Sequence, residues 1–378
     1  MRNYIIKRKL FIFLISILVI ATLLVSFTPF IIKYYVNHHI FGNMKNYTGH
    51  VDDVDTYLLR GTYVLKNMEI RKNTAKKSAP FFSTEELNIW LSWEALRKGK
   101  ILAEASLVEA KLNFVQSRDS KKKQHGQGLN WLAVFEKILP ATLHQLTVIQ
   151  SEVRYANPDA QPEIDLRVEN INAYIENLTN VRDLEGNRVA NGRLTATIFK
   201  QTDILTAAEF DPFAYDDFLF AASIQHLDLT QTNNLMNNFF QIDFKSGSGD
   251  LFTEISAENR KLSGYIKPLM KDVDIASWSQ DIQEQHDNIP RFIWENLIGF
   301  LNGILTNPGS DKVATQIELS GDFDKIEVNS FGAFLGFIKN AYFSALKSRF
   351  EGKTGLMNNA NSKDNDNDND NDNDKKDD

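Results

Sequence analysis

The feature that most restricts this chain is a run of 23 residues, Leu10 to Ile32, without a single charge. As a helix rising ~1.5 Å per residue it reaches ~34 Å, enough for the ~30 Å hydrocarbon core of a bilayer. Arg2, Lys7, Arg8 and Lys9 precede it, and Lys33, Tyr34 and Tyr35 follow it. Basic and aromatic residues at such a boundary are interfacial anchors. A cleaved signal would have an apolar region of only ~7–15 residues and then a small-residue cleavage site. The stretch FTPFIIKYYVNHHIF has no such site. The expectation is therefore an uncleaved transmembrane anchor over 10–32, with residues 1–9 a basic tip kept in the cytoplasm by the positive-inside rule. No second apolar run approaches 18 residues, so a single crossing is expected. In a two-membrane bacterium this means a single-pass inner-membrane protein whose body, 33–352, lies in the periplasm.

The charge is distributed to match. The formal net charge of −7 combines +4 in the first nine residues with −5 in Lys363–Asp378, leaving −6 for the body. An acidic body lacks the basic surface a nucleic-acid binder needs, so no nucleic-acid partner is expected. There is no Cys, which excludes disulfides, thiolate catalysis and Cys-ligated metal centres, and suits an exported chain.

The body reads mainly as strands. In Glu163–Asn170, Ile164, Leu166 and Val168 alternate with Asp165, Arg167 and Glu169. In Gly192–Lys200, Leu194, Ala196 and Ile198 alternate with Thr195 and Thr197. Val108, Ala110, Leu112 and Phe114 form another stripe, and Val313, Thr315, Ile317 and Leu319 a fourth. Period-2 alternation marks antiparallel strands with one apolar and one solvated face. Turn signals separate them, among them Asn157-Pro158-Asp159, Glu185-Gly186-Asn187 and Ser246-Gly247-Ser248-Gly249, the last read as a hairpin.

Helices interrupt the strands at Leu129–Leu139, at Thr232–Phe240, from Pro290 to Leu305, and at Ser330–Phe350, where Phe331, Phe334, Leu335, Ile338 and Tyr342 recur at helical spacing. Such helices cover a sheet face or dock on a membrane or partner. The tail, 353–378, alternates Asp and Asn from Asp364 to Asp374 and is expected to be disordered and solubilising. It lacks the turn Gly and terminal Glu of a calcium loop.

No catalytic constellation emerges. The seven His include no pair at i, i+4, and the sequence has no H-E-x-x-H, no G-x-S-x-G and no phosphate-binding loop. Lys121-Lys122-Lys123 reads as a solvated loop and His38-His39 as interfacial. No catalytic residue, metal ligand or cofactor is expected, and the chain is read as a non-enzyme.

Several segments, in their order, resemble the AsmA-like superfamily of bacterial envelope proteins, in particular its single-anchor members. These are Tyr47-Thr48-Gly49-His50-Val51-Asp52-Asp53-Val54, then Leu59-Arg60-Gly61-Thr62-Tyr63-Val64-Leu65, then Leu87–Gly99. Asp243–Ile275 with Leu262-Ser263-Gly264-Tyr265-Ile266 follows, then Ile317–Phe323 and a helix carrying Asn340–Leu346. The likeness covers most of residues 1–352. It implies an elongated, curled antiparallel sheet with an apolar interior, and a role in lipid traffic between membranes.

The resulting expectation is an α+β, mainly antiparallel β protein: a transmembrane helix, a curved sheet with a few covering helices, and an amphipathic C-terminal helix. The resemblance implies phospholipid as ligand, with Val108, Leu112, Phe114, Ile164, Leu166, Val168, Leu194, Ala196 and Ile198 as candidates to line a lipid trough. Each CH₂ of an acyl chain buried there is worth about 0.8 kcal/mol. The same stripes also suit an ordinary closed core. A membrane-anchored scaffold that binds other envelope proteins is the alternative function.

Overall fold

The structure is a computed structural model and describes residues 2–44, 46–74, 78–124, 138, 142–178, 190–211, 214–258, 260–278 and 312–322. The expected helices at 290–305 and 330–350 and the tail lie outside these residues, as does all of the 129–139 helix except Ile138.

The N-terminal helix α1 (Arg2–Tyr35) contains the whole uncharged run and is long and apolar enough to span a membrane. Its few polar side chains are satisfied within the helix. The hydroxyls of Ser16, Thr22, Ser26 and Thr28 donate to the carbonyl four residues back at 2.8–2.9 Å, which removes the cost of exposing them to hydrocarbon. The chain then makes a π-helical turn (Val36–Ile40) and a 3₁₀ turn (Phe41–Asn43) before entering the sheet.

Among the described residues fourteen strands form one sheet. In chain order they are β1 (Tyr47–Tyr57), β2 (Thr62–Lys72), β3 (Phe82–Leu91), β4 (Leu102–Val108), β5 (Lys111–Val115), β6 (Thr142–Asn157) and β7 (Ile164–Glu176). Then come β8 (Ala190–Ile198), β9 (Thr202–Asp211), β10 (Ala214–Asp228), β11 (Ile242–Glu258), β12 (Lys261–Trp278), β13 (Lys312–Ala314) and β14 (Ile317–Asp322). The spatial order follows the chain, with β4 and β5 end to end between β3 and β6, and β13 and β14 end to end along β12. Pairing is antiparallel throughout except that β4 and β5 run parallel to β6. A parallel step needs a crossover, here residues 116–141. Two short helices complete the described fold: α2 (Trp93–Arg97), capped by Ser92 accepting from the Ala95 amide, and α3 (Asn233–Phe240).

A line of left-handed residues crosses the sheet. Asn67 on β2, Glu109 between β4 and β5, Gln150 on β6 and Asn170 on β7 all have φ near +50°. His226 on β10 and Asp272 on β12 do the same farther along, with Gly247 on β11 at φ 137°. At Gln150, Asn170, His226 and the Gly247–Asp272 level the register shifts as at a bulge, whereas at Asn67 and Glu109 the pairing keeps its offset and only the alternation of buried residues changes parity. The stray amides are met by neighbouring side chains. Ala110 N–H donates to Ser151 Oγ (3.0 Å), Gln150 N–H to Asn172 Oδ1 (3.1 Å) and His226 N–H to Asp250 Oδ1 (2.8 Å).

Two apolar clusters close parts of one sheet face. The larger joins β1–β6 to the end of α1: Val36, Ile40 and Phe41 pack with Val51, Leu65, Met68, Ile70, Phe81, Leu87 and Phe114. Ile138 joins it, and its carbonyl accepts from the Tyr63 hydroxyl at 2.8 Å, while burial pushes that phenol well above its ordinary pKa. The smaller cluster seats Met236 and Phe240 of α3, with Leu229, on Ile242 and Phe244. Asn234 and Asn238 of α3 also donate to the carbonyls of Glu163 and Pro162 (3.1 and 2.6 Å), tying β11 to the start of β7.

Three local expectations change. The Val108–Phe114 stripe is two strands: the turn at Glu109 puts Val108 opposite Glu86 and Ile149, on the face away from Leu107 and the core. Ser246–Gly249 is not a hairpin but lies inside β11. Its glycines admit Leu229, whose Cδ atoms would sit 3.0–3.1 Å from a Cβ at either position. The Val313–Leu319 strand is split, because Pro268 opposite it has no N–H to offer the last strand.

Candidate functional site

The register places one apolar face continuously across the sheet. From β5 it runs Leu112 to Val153 to Val168 to Ile198. It passes along Ala196–Ile204–Ile224–Leu251, and from Leu251 to Pro268 on β12. One step along the strands it returns through Ile255–Gly264–Leu319. Glycine at 264 is required because a Cβ there would overlap the Glu254 backbone.

The opposite face is charged. Arg154 holds Asp165 through two hydrogen bonds (2.6 and 2.8 Å), and Arg167 adds a contact at 3.3 Å. The Arg154 hydrogen bond, then Arg167, keeps the Asp165 carboxyl below the usual carboxylate range despite partial burial. Lys66–Asp55 (2.5 Å) and Lys245–Asp274 (3.0 Å) continue the pattern. The two faces therefore differ in chemistry at these pairs, while across β9 and β10 the opposite face exposes Leu205 and Leu219.

The nine candidate residues fall into three groups. Leu112 and Phe114 belong to the closed β1–β6 cluster, where Phe114 meets the Phe81 ring edge-on at 5.6 Å. Val108 lies on the other face. Ile164, Leu166, Val168, Leu194, Ala196 and Ile198 lie on β7 and β8, where the register pairs Val168 with Ile198 but sets Leu194 opposite Ala173, far along β7 from Ile164; Ile164, Ala196 and Ile198 are buried, while Leu166, Val168 and Leu194 are half-buried. The same face continues over residues the sequence did not single out: Phe218, Phe220 and Ile224 on β10, Leu251 and Ile255 on β11, and Ile266 on β12, all half-buried. A signal was present in Phe218-Leu219-Phe220-Ala221-Ala222-Ser223-Ile224, but Leu219 and Ala221 on the outer face masked the alternation.

Among the described residues no group of three or more His, Asp or Glu is placed to hold a metal ion. No protein-family model matches the chain, and no curated protein matches it.

Proposed function

We propose that this is a membrane-anchored lipid-binding protein of AsmA-like type. On this reading α1 crosses a bacterial inner membrane with residues 1–9 in the cytoplasm. The sheet stands in the periplasm, holds acyl chains on the apolar face of β7–β12, and assists lipid transfer between membranes or envelope assembly. The observation that carries the reading is the half-buried apolar row on that face, set against an opposite face with ion pairs at Arg154–Asp165–Arg167 and Lys245–Asp274. Such a surface gains by taking up hydrocarbon, at about 0.8 kcal/mol per CH₂ buried, while a headgroup stays in water at the rim. Binding and transfer of this kind need no bond-making residue.

The test is site-specific photo-crosslinking of the full chain in cells, with the photoreactive residue at Leu194 or Val168 on the apolar face and at Leu205 on the outer face. Phospholipid adducts at the first two but not at Leu205 are expected. The purified chain should also move phospholipid between vesicles. Adducts to protein alone at Leu194 and Val168, together with no transfer, would overturn the reading in favour of a scaffold.

A further inference from the structure

Helix α1 and strand β1 run side by side in opposite senses. The Phe41 ring lies on Gly49, and Asn37 is bonded to Val51. Going back along the helix toward the apolar run is therefore going forward along β1 toward Tyr57. The two pairs keep step, since four helical residues and two strand residues both cover about 6–7 Å. From Val51 to Tyr57 the strand climbs about 20 Å more, equal to about 13 residues of helix if the axes are parallel. Burial along α1 agrees: residues 22–27 are exposed, and cover begins at Thr28, Pro29, Ile32 and Lys33. The β1–β2 turn thus stands level with the outer part of the apolar run, at about residues 24–28. Strand β3 runs in the same sense as β1, so α2 stands at that end too, joined to the turn by the Leu91 amide donating to Gly61 O at 2.8 Å.

What this end displays is not what water favours. Leu59, at the tip of the turn, is 98% exposed, and Trp93, Leu96 and Ile101 are 47%, 47% and 51% exposed. Arg60, Arg97, Lys98 and Lys100 surround them, with Glu94 the one carboxylate in residues 57–61 and 93–101. Leucine and indole projecting from a cationic rim is the composition that seats in the headgroup region of an anionic bilayer.

We infer that the turn at 57–61, together with α2 and Ile101, dips into the outer interface of the bilayer that α1 crosses. It gives the sheet a second, peripheral hold on the membrane and fixes its tilt. A bilayer is the occupant because the surface sits beside the outer part of the anchor's apolar run, a few residues short of its end at Ile32. This rests on α1 spanning a membrane, and is independent of lipid binding by β7–β12.

The chain has no Cys, so a single introduced one can be labelled uniquely. The full chain is reconstituted into vesicles of phosphatidylethanolamine and phosphatidylglycerol, with an environment-sensitive dye on Leu59→Cys, on Leu18→Cys within α1, or on Leu205→Cys on the outer sheet face. Leu59 is free of packing, so its replacement leaves folding intact. The dye at 59 should shift to the blue and lose emission to lipids carrying a spin label near the headgroup, while that at 205 does neither. Quenching at 18 without quenching at 59 overturns the inference and leaves the anchor standing. A blue shift at 59 without lipid quenching means a protein surface covers it, which also overturns the inference. No quenching at 18 removes the anchor and the inference together.

Discussion

Among the contacts that join the anchor to the sheet, one side chain has a removal with a calculable effect. Val51 is wholly buried on edge strand β1, and its backbone N–H and C=O point away from β2. Both are taken by one side chain: Asn37 Nδ2 donates to Val51 O at 3.0 Å, and Val51 N–H donates to Asn37 Oδ1 at 2.8 Å. Asn37→Ala orphans both groups. An unmet buried backbone group costs about 1–3 kcal/mol, and some entry of water at a sheet edge brings the pair to about 2 kcal/mol in total. A local-opening difference of that size is about a 30-fold change in exchange rate. Hydrogen exchange of the full chain in lipid nanodiscs, followed by mass spectrometry, should show peptides from 47–57 exchanging faster by that factor. Peptides from β6–β8 should be unchanged. Asn37→Asp keeps the acceptor for Val51 N–H but sets a carboxylate against Val51 O, and should be no better protected than the wild type. If Asn37→Ala leaves exchange over 47–57 as slow as in the wild type, the clamp contributes nothing and the coupling of helix to sheet must lie elsewhere.

Gly49→Ala should loosen the same junction from the other side, because a Cβ there would overlap the Phe41 ring, itself buried. Overpacking of this sort costs about 1–3 kcal/mol, read as a lower melting temperature of the full chain, and an unchanged melt would show that Phe41 moves freely. The outer-face ion pairs predict an acid dependence. The Asp165 pKa is lowered in the folded state, so its contribution is present above the unfolded value of about 3.9 and is lost as pH falls through the folded value. Asp165→Asn should therefore melt below the wild type at neutral pH, by about 1 kcal/mol or less for a pair this exposed, and the two should converge in strong acid. Curves that stay equally far apart at every pH would contradict the assignment.

The parts legible in the sequence were those whose physics is local. The uncharged run needs only length and composition, and α1 contains it. The stripes at Ile164–Val168 and Leu194–Ile198 lie on neighbouring strands, as their alternation predicts, and the register joins them at Val168 and Ile198. What was hidden depended on partners far away in the chain. The glycines of 246–249 resemble a turn until Leu229 is seen to need their space. Val108 continues an apolar stripe on paper, but Glu109 takes φ near +49° so that Ala110 can donate to Ser151. The clamps at Asn37 and at Asn233, which bonds both backbone groups of Phe244 at 2.8 and 2.9 Å, have no signature in sequence at all.

The line of left-handed residues across the sheet explains why those departures do not destroy the apolar face. A strand that gains one odd residue turns its buried side outward beyond that point. Met68 and Leu65 on β2, Phe114 and Ala105 on β5 and β4, and Val153 and Val148 on β6 have opposite parity, yet all face the same side. They can do so only because the parity change falls at the same level on neighbouring strands, at Asn67, Glu109 and Gln150. On β7 the change at Asn170 meets a regular β8, which absorbs it as a bulge between Glu169 and Asn172. The line of left-handed residues thus changes the parity of each strand while keeping the apolar side chains on one side of the sheet. Beyond it α3 covers the end of the face farthest along the strands from the anchor, by its bonds to Glu163 and Pro162. The half-buried row on β7–β12 lies on the other side of α3, toward the strand ends that point back along α1. On the proposed reading an acyl chain leaving the anchored membrane would meet that row before the ion pairs of Arg154–Asp165 and Lys245–Asp274, which lie toward the far strand ends.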